Sequence, residues 1–170
     1  MRVFSEIQRF NQWWFYLILL VVTASVYIPL LKMITEMEAI ASETLWITIS
    51  AAVFVSILFV WMAFGLRLKT HIDERGIEYQ FKGFHLKPKF ISWEQLEKAY
   101  VRTYHPLSEY GGWGIRGSFG KDSMAYNVKG NKGLQLQFKD GKRLLIGTQT
   151  PEPLERVIAL YSSKLTSHEQ

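Results

Sequence analysis

Residues 10–31 read FNQWWFYLILLVVTASVYIPLL, and residues 44–66 read TLWITISAAVFVSILFVWMAFGL. Neither stretch contains Asp, Glu, Lys, Arg or His, and Trp13, Trp14, Trp46 and Trp61 stand near their ends. A helix of roughly 20 apolar residues spans a bilayer core of about 30 Å. The two stretches therefore predict a membrane hairpin over 13–66, with spans at about 13–31 and 45–66. The rest of the chain divides around it: a short N-terminal segment 1–12, a polar domain 67–165 large enough for one compact core, and a tail 166–170.

Charge sets the expected orientation. Arg2 and Arg9 precede the first stretch, Arg67 and Lys69 follow the second, and Lys32 is the lone cation of the connector, against Glu36, Glu38 and Glu43. Basic flanks prefer the cytoplasm, so both termini are expected inside and the connector outside, in a multi-pass protein. Trp13-Trp14 and Glu6 fit a cleaved signal segment poorly. Without an ionisable group in either stretch, transport is disfavoured, and an anchor is the expectation. Ala52-x-x-x-Ser56 is a small-residue pair that suits hairpin packing or a homo-oligomer. The chain has no cysteine, which excludes disulfides and thiolate chemistry.

Beyond Arg67 the pattern changes. Ile77, Tyr79 and Phe81 alternate with Glu78, Gln80 and Lys82, as do Leu134, Leu136 and Phe138 with Gln135, Gln137 and Lys139. This is the period of half-buried strands. Asp140-Gly141 is a strong hairpin turn, and Asp73–Gly76 and Gly130–Gly133 are further turns. Strands are expected near 89–91, 99–104, 126–128 and 143–146, with a helical turn at 92–96. Leu154, Val157, Ile158, Tyr161 and Leu165 then recur at helical spacing behind Thr150 and Pro151.

About seven strands followed by one amphipathic helix resembles the pleckstrin-homology (PH) superfold. It is most similar to bacterial PH-like domains that follow a transmembrane hairpin. The residues that carry the resemblance are Ile72-Asp73-Glu74-Arg75-Gly76-Ile77, Ile91-Ser92-Trp93-Glu94-Gln95-Leu96, and Leu145-Ile146-Gly147-Thr148 with Pro151. The resemblance implies a mainly-β PH-like barrel capped by a C-terminal helix. It implies a tethered binding module in a bacterial inner membrane, with both termini cytoplasmic, and no catalytic residue.

Two segments are candidate sites. Segment 110–120 interleaves five glycines with aromatics and Arg116. It lacks the Lys-Ser/Thr of a phosphate loop, and it reads either as a bulged structural loop or as a surface anchored by Trp113 and Arg116. Lys82, Lys87 and Lys89 surround a turn at 83–88. They read either as a solvated face or as contacts to anionic lipid head groups. The four histidines are scattered, so no metal site is expected, and no cofactor. No nucleic-acid signature accompanies the net charge of +5. The functional expectation is an integral inner-membrane protein whose cytoplasmic module binds a protein partner or an anionic membrane surface. A small membrane enzyme with a Gly-rich site near the bilayer is the alternative.

Overall fold

The structure, a computed structural model, describes residues 3–10, 13–35, 42–117 and 123–166. It divides into two units, one of residues 1–9 with 67–170 and one of 10–66. The connector at 36–41, residues 118–120 of the Gly-rich segment and most of the tail lie outside the described residues.

The second unit holds two helices, α1 (Trp13–Thr35) and α2 (Ser42–Gly65). Tyr27 Oη and Ser56 Oγ join them at 2.6 Å, and Ala52 is buried. Helices thus form where the apolar stretches predict them, but the membrane expectation is overturned. Among the described residues no helix is long and apolar enough to cross a membrane. The transmembrane hairpin in the fold class is corrected accordingly. So is the multi-pass inner-membrane location with both termini cytoplasmic. The integral membrane binding module and its alternative, a membrane enzyme, are corrected with it.

The first unit is built on two sheets. Sheet A is an antiparallel meander of β1 (Phe4–Arg9), β2 (Arg67–Ile72), β3 (Gly76–Lys82) and β4 (Lys89–Ser92). Its first strand precedes α1 in the chain, a pairing that reading 1–12 as a separate segment does not anticipate. β2 shows why the strands form: Leu68, Thr70 and Ile72 are buried, while Arg67, Lys69 and His71 face the other way. The β2–β3 turn is closed by Asp73, whose Oδ1 accepts the amides of Arg75 and Gly76 at 2.9 and 3.2 Å. Gly76 is required there, because a Cβ would stand 2.1 Å from the carbonyl oxygen of Ile91.

A 3-10 turn at Trp93–Gln95 leads into sheet B, ordered β5-β8-β9-β7-β6. Its strands are β5 (Leu96–Thr103), β6 (Gly114–Gly117), β7 (Ser123–Asn127), β8 (Lys132–Phe138) and β9 (Arg143–Thr148). A short helix α3 (Pro106–Tyr110) separates β5 from β6. β7 runs parallel to β9, and the other pairings are antiparallel. Among the described residues nine strands stand where about seven are expected. β1 and β6 are the two additions, β7 being the strand expected near 126–128.

The predicted Asp140-Gly141 hairpin is present: the amide of Gly141 donates to the oxygen of Phe138 at 3.0 Å. α4 (Pro151–Thr166) packs against β5 with Leu154, Val157 and Ile158 buried. Tyr161 stacks on Trp93 at 5.2 Å. Leu68, Ile72, Ile77 and Phe81 from sheet A and Leu134, Leu136, Leu145 and Ile146 from sheet B form the core. β1 is held to sheet B by its side chains. Gln8 Nε2 donates to the oxygen of Gly147 at 2.6 Å, and Glu6 accepts Thr148 Oγ1 and the amide of Gln149, each at 2.7 Å.

Candidate functional site

The sequence-predicted side chains fall on opposite sheets. Trp113 precedes β6, and its Nε1 donates to the oxygen of Gly130 at 3.0 Å. Arg116 Nε donates to the oxygen of Trp113 at 3.2 Å. Asn127 Oδ1 accepts the amide of Gly114 at 2.8 Å. These bonds tie the Gly-rich segment to β7 and to the β7–β8 turn. Gly111, Gly112 and Gly114 adopt positive φ there, a backbone conformation that favours glycine at those three positions.

A half-buried polar cluster lies at α3. Arg102 donates to both Glu109 oxygens, at 3.2 and 2.7 Å, and to Gln135 Oε1 at 2.9 Å. The hydrogen bonds from Arg102 hold the Glu109 carboxyl below its usual range, against the opposing effect of burial. Burial pushes the Tyr104 phenol up to about 12. The cluster joins α3 to β5 and β8; the Arg102–Glu109 pair is satisfied within it, while the buried Tyr104 hydroxyl has no hydrogen-bond partner among the described residues.

Lys82, Lys87 and Lys89 come together around the β3–β4 loop, all exposed. The loop is a pinned structure. The oxygen of Phe81 accepts the amides of Phe84 and His85 at 3.2 and 2.9 Å. Gln80 Nε2 reaches the oxygens of His85 and Leu86 at 3.1 and 3.4 Å. His85 Nδ1 accepts the amide of Phe81 at 3.3 Å, so its proton sits on Nε2. Burial, and then the charge of Lys89, lower the His85 pKa and keep it neutral at pH 7. Its ring lies 5.3 Å from Tyr126, on which Lys89 Nζ also rests at 5.8 Å. Tyr79 completes the cluster 5.1 Å from Tyr126, and burial raises its pKa strongly.

This bracing holds apolar side chains outward. Leu86 is 100% exposed, Phe84 59% and Phe90 53%. Reading the lysines alone misses these residues, although the alternation Lys82-Gly83-Phe84-His85-Leu86-Lys87-Pro88-Lys89-Phe90 is itself a signal. Turns are usually polar, and this one interleaves apolar residues with every cation. The tip is therefore an apolar wedge with a lysine collar.

Catalytic chemistry has less support. Ser5, His71 and Glu78 stand side by side across β1, β2 and β3, a nucleophile, a base and an acid by type. No hydrogen bond joins them among the described contacts, whereas an activated nucleophile requires that link. Among the described residues no group of three His, Cys, Asp or Glu side chains is placed to hold a metal ion. No family model, curated protein or solved structure matches the chain.

Proposed function

We propose that the β unit is a binding module of PH-like build that docks its β3–β4 loop on anionic lipid head groups. Support for the build comes from the strand order: a four-stranded meander, then β5, β8 and β9 antiparallel in turn, then the helix α4. The β6–β7 insertion is the departure. The observation that carries the docking is Leu86, wholly exposed on a loop whose backbone is pinned at 81, 84 and 85. A pinned loop cannot fold that side chain back onto its own core. An exposed apolar tip among cations suits an interface that is apolar inside and anionic outside. Burying Leu86 and part of Phe84 contributes about 3 kcal/mol. Lys82, Lys87 and Lys89 each add about 1 kcal/mol near an anionic surface. The result is a weak, reversible docking that needs no helix to cross a bilayer.

The absence of cysteine makes a site-specific test clean. The full chain carrying Leu86→Cys is labelled with an environment-sensitive dye and mixed with vesicles. Vesicles of mixed phosphatidylserine and phosphatidylcholine are expected to blue-shift and brighten the dye, and phosphatidylcholine alone to leave it unchanged. The same label at Asp140→Cys, on the exposed β8–β9 turn, is expected to stay silent. A dye at 86 that responds no more than the dye at 140 refutes the docking.

A further inference from the structure

We infer that the two-helix unit of residues 10–66 pairs with a second copy of the chain, along one stripe of α2. A helix that is apolar all round needs a cover on every side, and α1 and α2 are of that kind. Leu20, Ile28 and Leu31 of α1 and Ile47, Phe54 and Ile57 of α2 all stand more than half exposed. At about 100 Å² for a fully exposed side chain of this size, the exposed large apolar residues of the two helices offer on the order of 1,000 Å². The largest apolar patch on a typical monomer is only about 300–600 Å². A stable dimer needs about 800 Å² from each partner. Among the described residues neither helix is long and apolar enough to cross a membrane, and the occupant is a protein surface.

The contacts within the hairpin show which face is left over. Ala52 is buried, and Ser56 Oγ meets Tyr27 Oη of α1. The small pair Ala52-x-x-x-Ser56 therefore serves the packing of α2 on α1. Further round α2, Trp46, Ser50, Val53, Ile57 and Val60 follow at steps of four and three residues, all exposed. That is the 3.5-residue repeat with which one helix packs along another. The one polar member, Ser50, donates its hydroxyl to the oxygen of Trp46 at 2.8 Å, so burying it leaves no unmet donor. Beside the stripe an apolar groove of about 340 Å³ is lined by Ser56, Ile57, Val60 and Trp61, room for side chains of a facing helix. The stripe carries no charge that would select a partner of another composition. An identical stripe satisfies it about a two-fold axis. The pairing concerns α2 and not the β3–β4 loop, so it stands or falls separately from the docking.

The test uses the full chain in buffer without lipid. Sedimentation equilibrium is expected to give the mass of two copies. Ile57→Glu combined with Val60→Glu is expected to weaken the association by roughly a hundredfold or more, with hydrogen exchange in β9 unchanged. Because the chain has no cysteine, crosslinking reads the position independently of that variant. Ile57→Cys, on the stripe, is expected to be joined to its own copy by a short bismaleimide. Ala51→Cys, exposed on the same helix about a third of a turn away, is expected not to be. Single copies in buffer refute the pairing, and if those copies float with phosphatidylcholine vesicles the occupant is lipid. Mass that climbs past two copies with concentration refutes it too, as does crosslinking at 51 equal to that at 57. A dimer that the double variant leaves intact has its interface elsewhere and overturns the stripe. A dye at position 86 silent on vesicles, with the two-copy mass intact, sinks the lipid docking and leaves the pairing standing.

Discussion

Deleting residues 1–9 tests whether β1 is an integral strand of the β unit. The deletion strips the ladder from the edge of β2 and removes Phe4 and Gln8, which are 6% and 2% exposed. Loss of a buried Phe side chain costs about 3 kcal/mol or more. The oxygen of Gly147 loses its donor from Gln8, and Thr148 and Gln149 lose the Glu6 carboxylate. At about 1 kcal/mol for the neutral bond and about 1.5 for each bond to a charged group, the total reaches about 7 kcal/mol. A domain of this size is stable by only about 5–15 kcal/mol, so the deletion removes much or all of its margin. Hydrogen exchange followed by mass spectrometry reads this locally. Protection of β2 and β9 is expected to fall by several decades, since each 1.4 kcal/mol is tenfold. A loss of less than about 2 kcal/mol in both strands refutes the reasoning and makes β1 an edge ornament.

Three further outcomes follow from single sites. Glu109→Gln is expected to cost about 1 kcal/mol at pH 7, measured by urea unfolding. The Glu109 carboxyl titrates below its ordinary 4.5 in the folded chain, chiefly through the Arg102 hydrogen bonds. Its contribution is complete above 4.5 and lost as pH falls through the folded value, so parent and variant converge in acid. Gly76→Ala is expected to destabilise by about 3 kcal/mol, since its Cβ meets the Ile91 oxygen at 2.1 Å; a neutral melting temperature contradicts that. His85 titrates below its ordinary 6.5, through burial and then Lys89, with Tyr79 and Tyr126 as its other neighbours. Loop stability is therefore full above 6.5 and lost as pH falls through the folded value. Amide exchange at Phe81, corrected for intrinsic rate, is expected to quicken in acid in the parent and not in His85→Gln.

Local patterns were legible and long-range ones were not. The Asp140-Gly141 hairpin, the 3-10 turn after Ser92 and α4 each depend on residues close in sequence, and each is found where alternation, turn chemistry and helical spacing put it. The helices of 10–66 were legible too. Their uncharged composition spoke to helix and apolarity, but among the described residues neither helix is long and apolar enough to cross a membrane. β1 went unread because its partner β2 lies beyond both helices, and a six-residue strand with two inward polar side chains, Glu6 and Gln8, has little period to detect. The β7–β9 parallel pairing is nearer in sequence but passes over β8, and no local pattern marks it. The same distinction separates the β3–β4 loop from the row of Arg9, Arg67 and Lys82. The wedge of Phe84 and Leu86 lies within one loop, so its lysines were visible at once and its apolar tip was available to be noticed. The cation row requires Arg9 to be set beside Arg67 and Arg67 beside Lys82, an arrangement that two separate strand pairings create. Arg9 and Arg67 look like ordinary basic flanks of apolar stretches until β1 folds against β2 and sets them opposite one another.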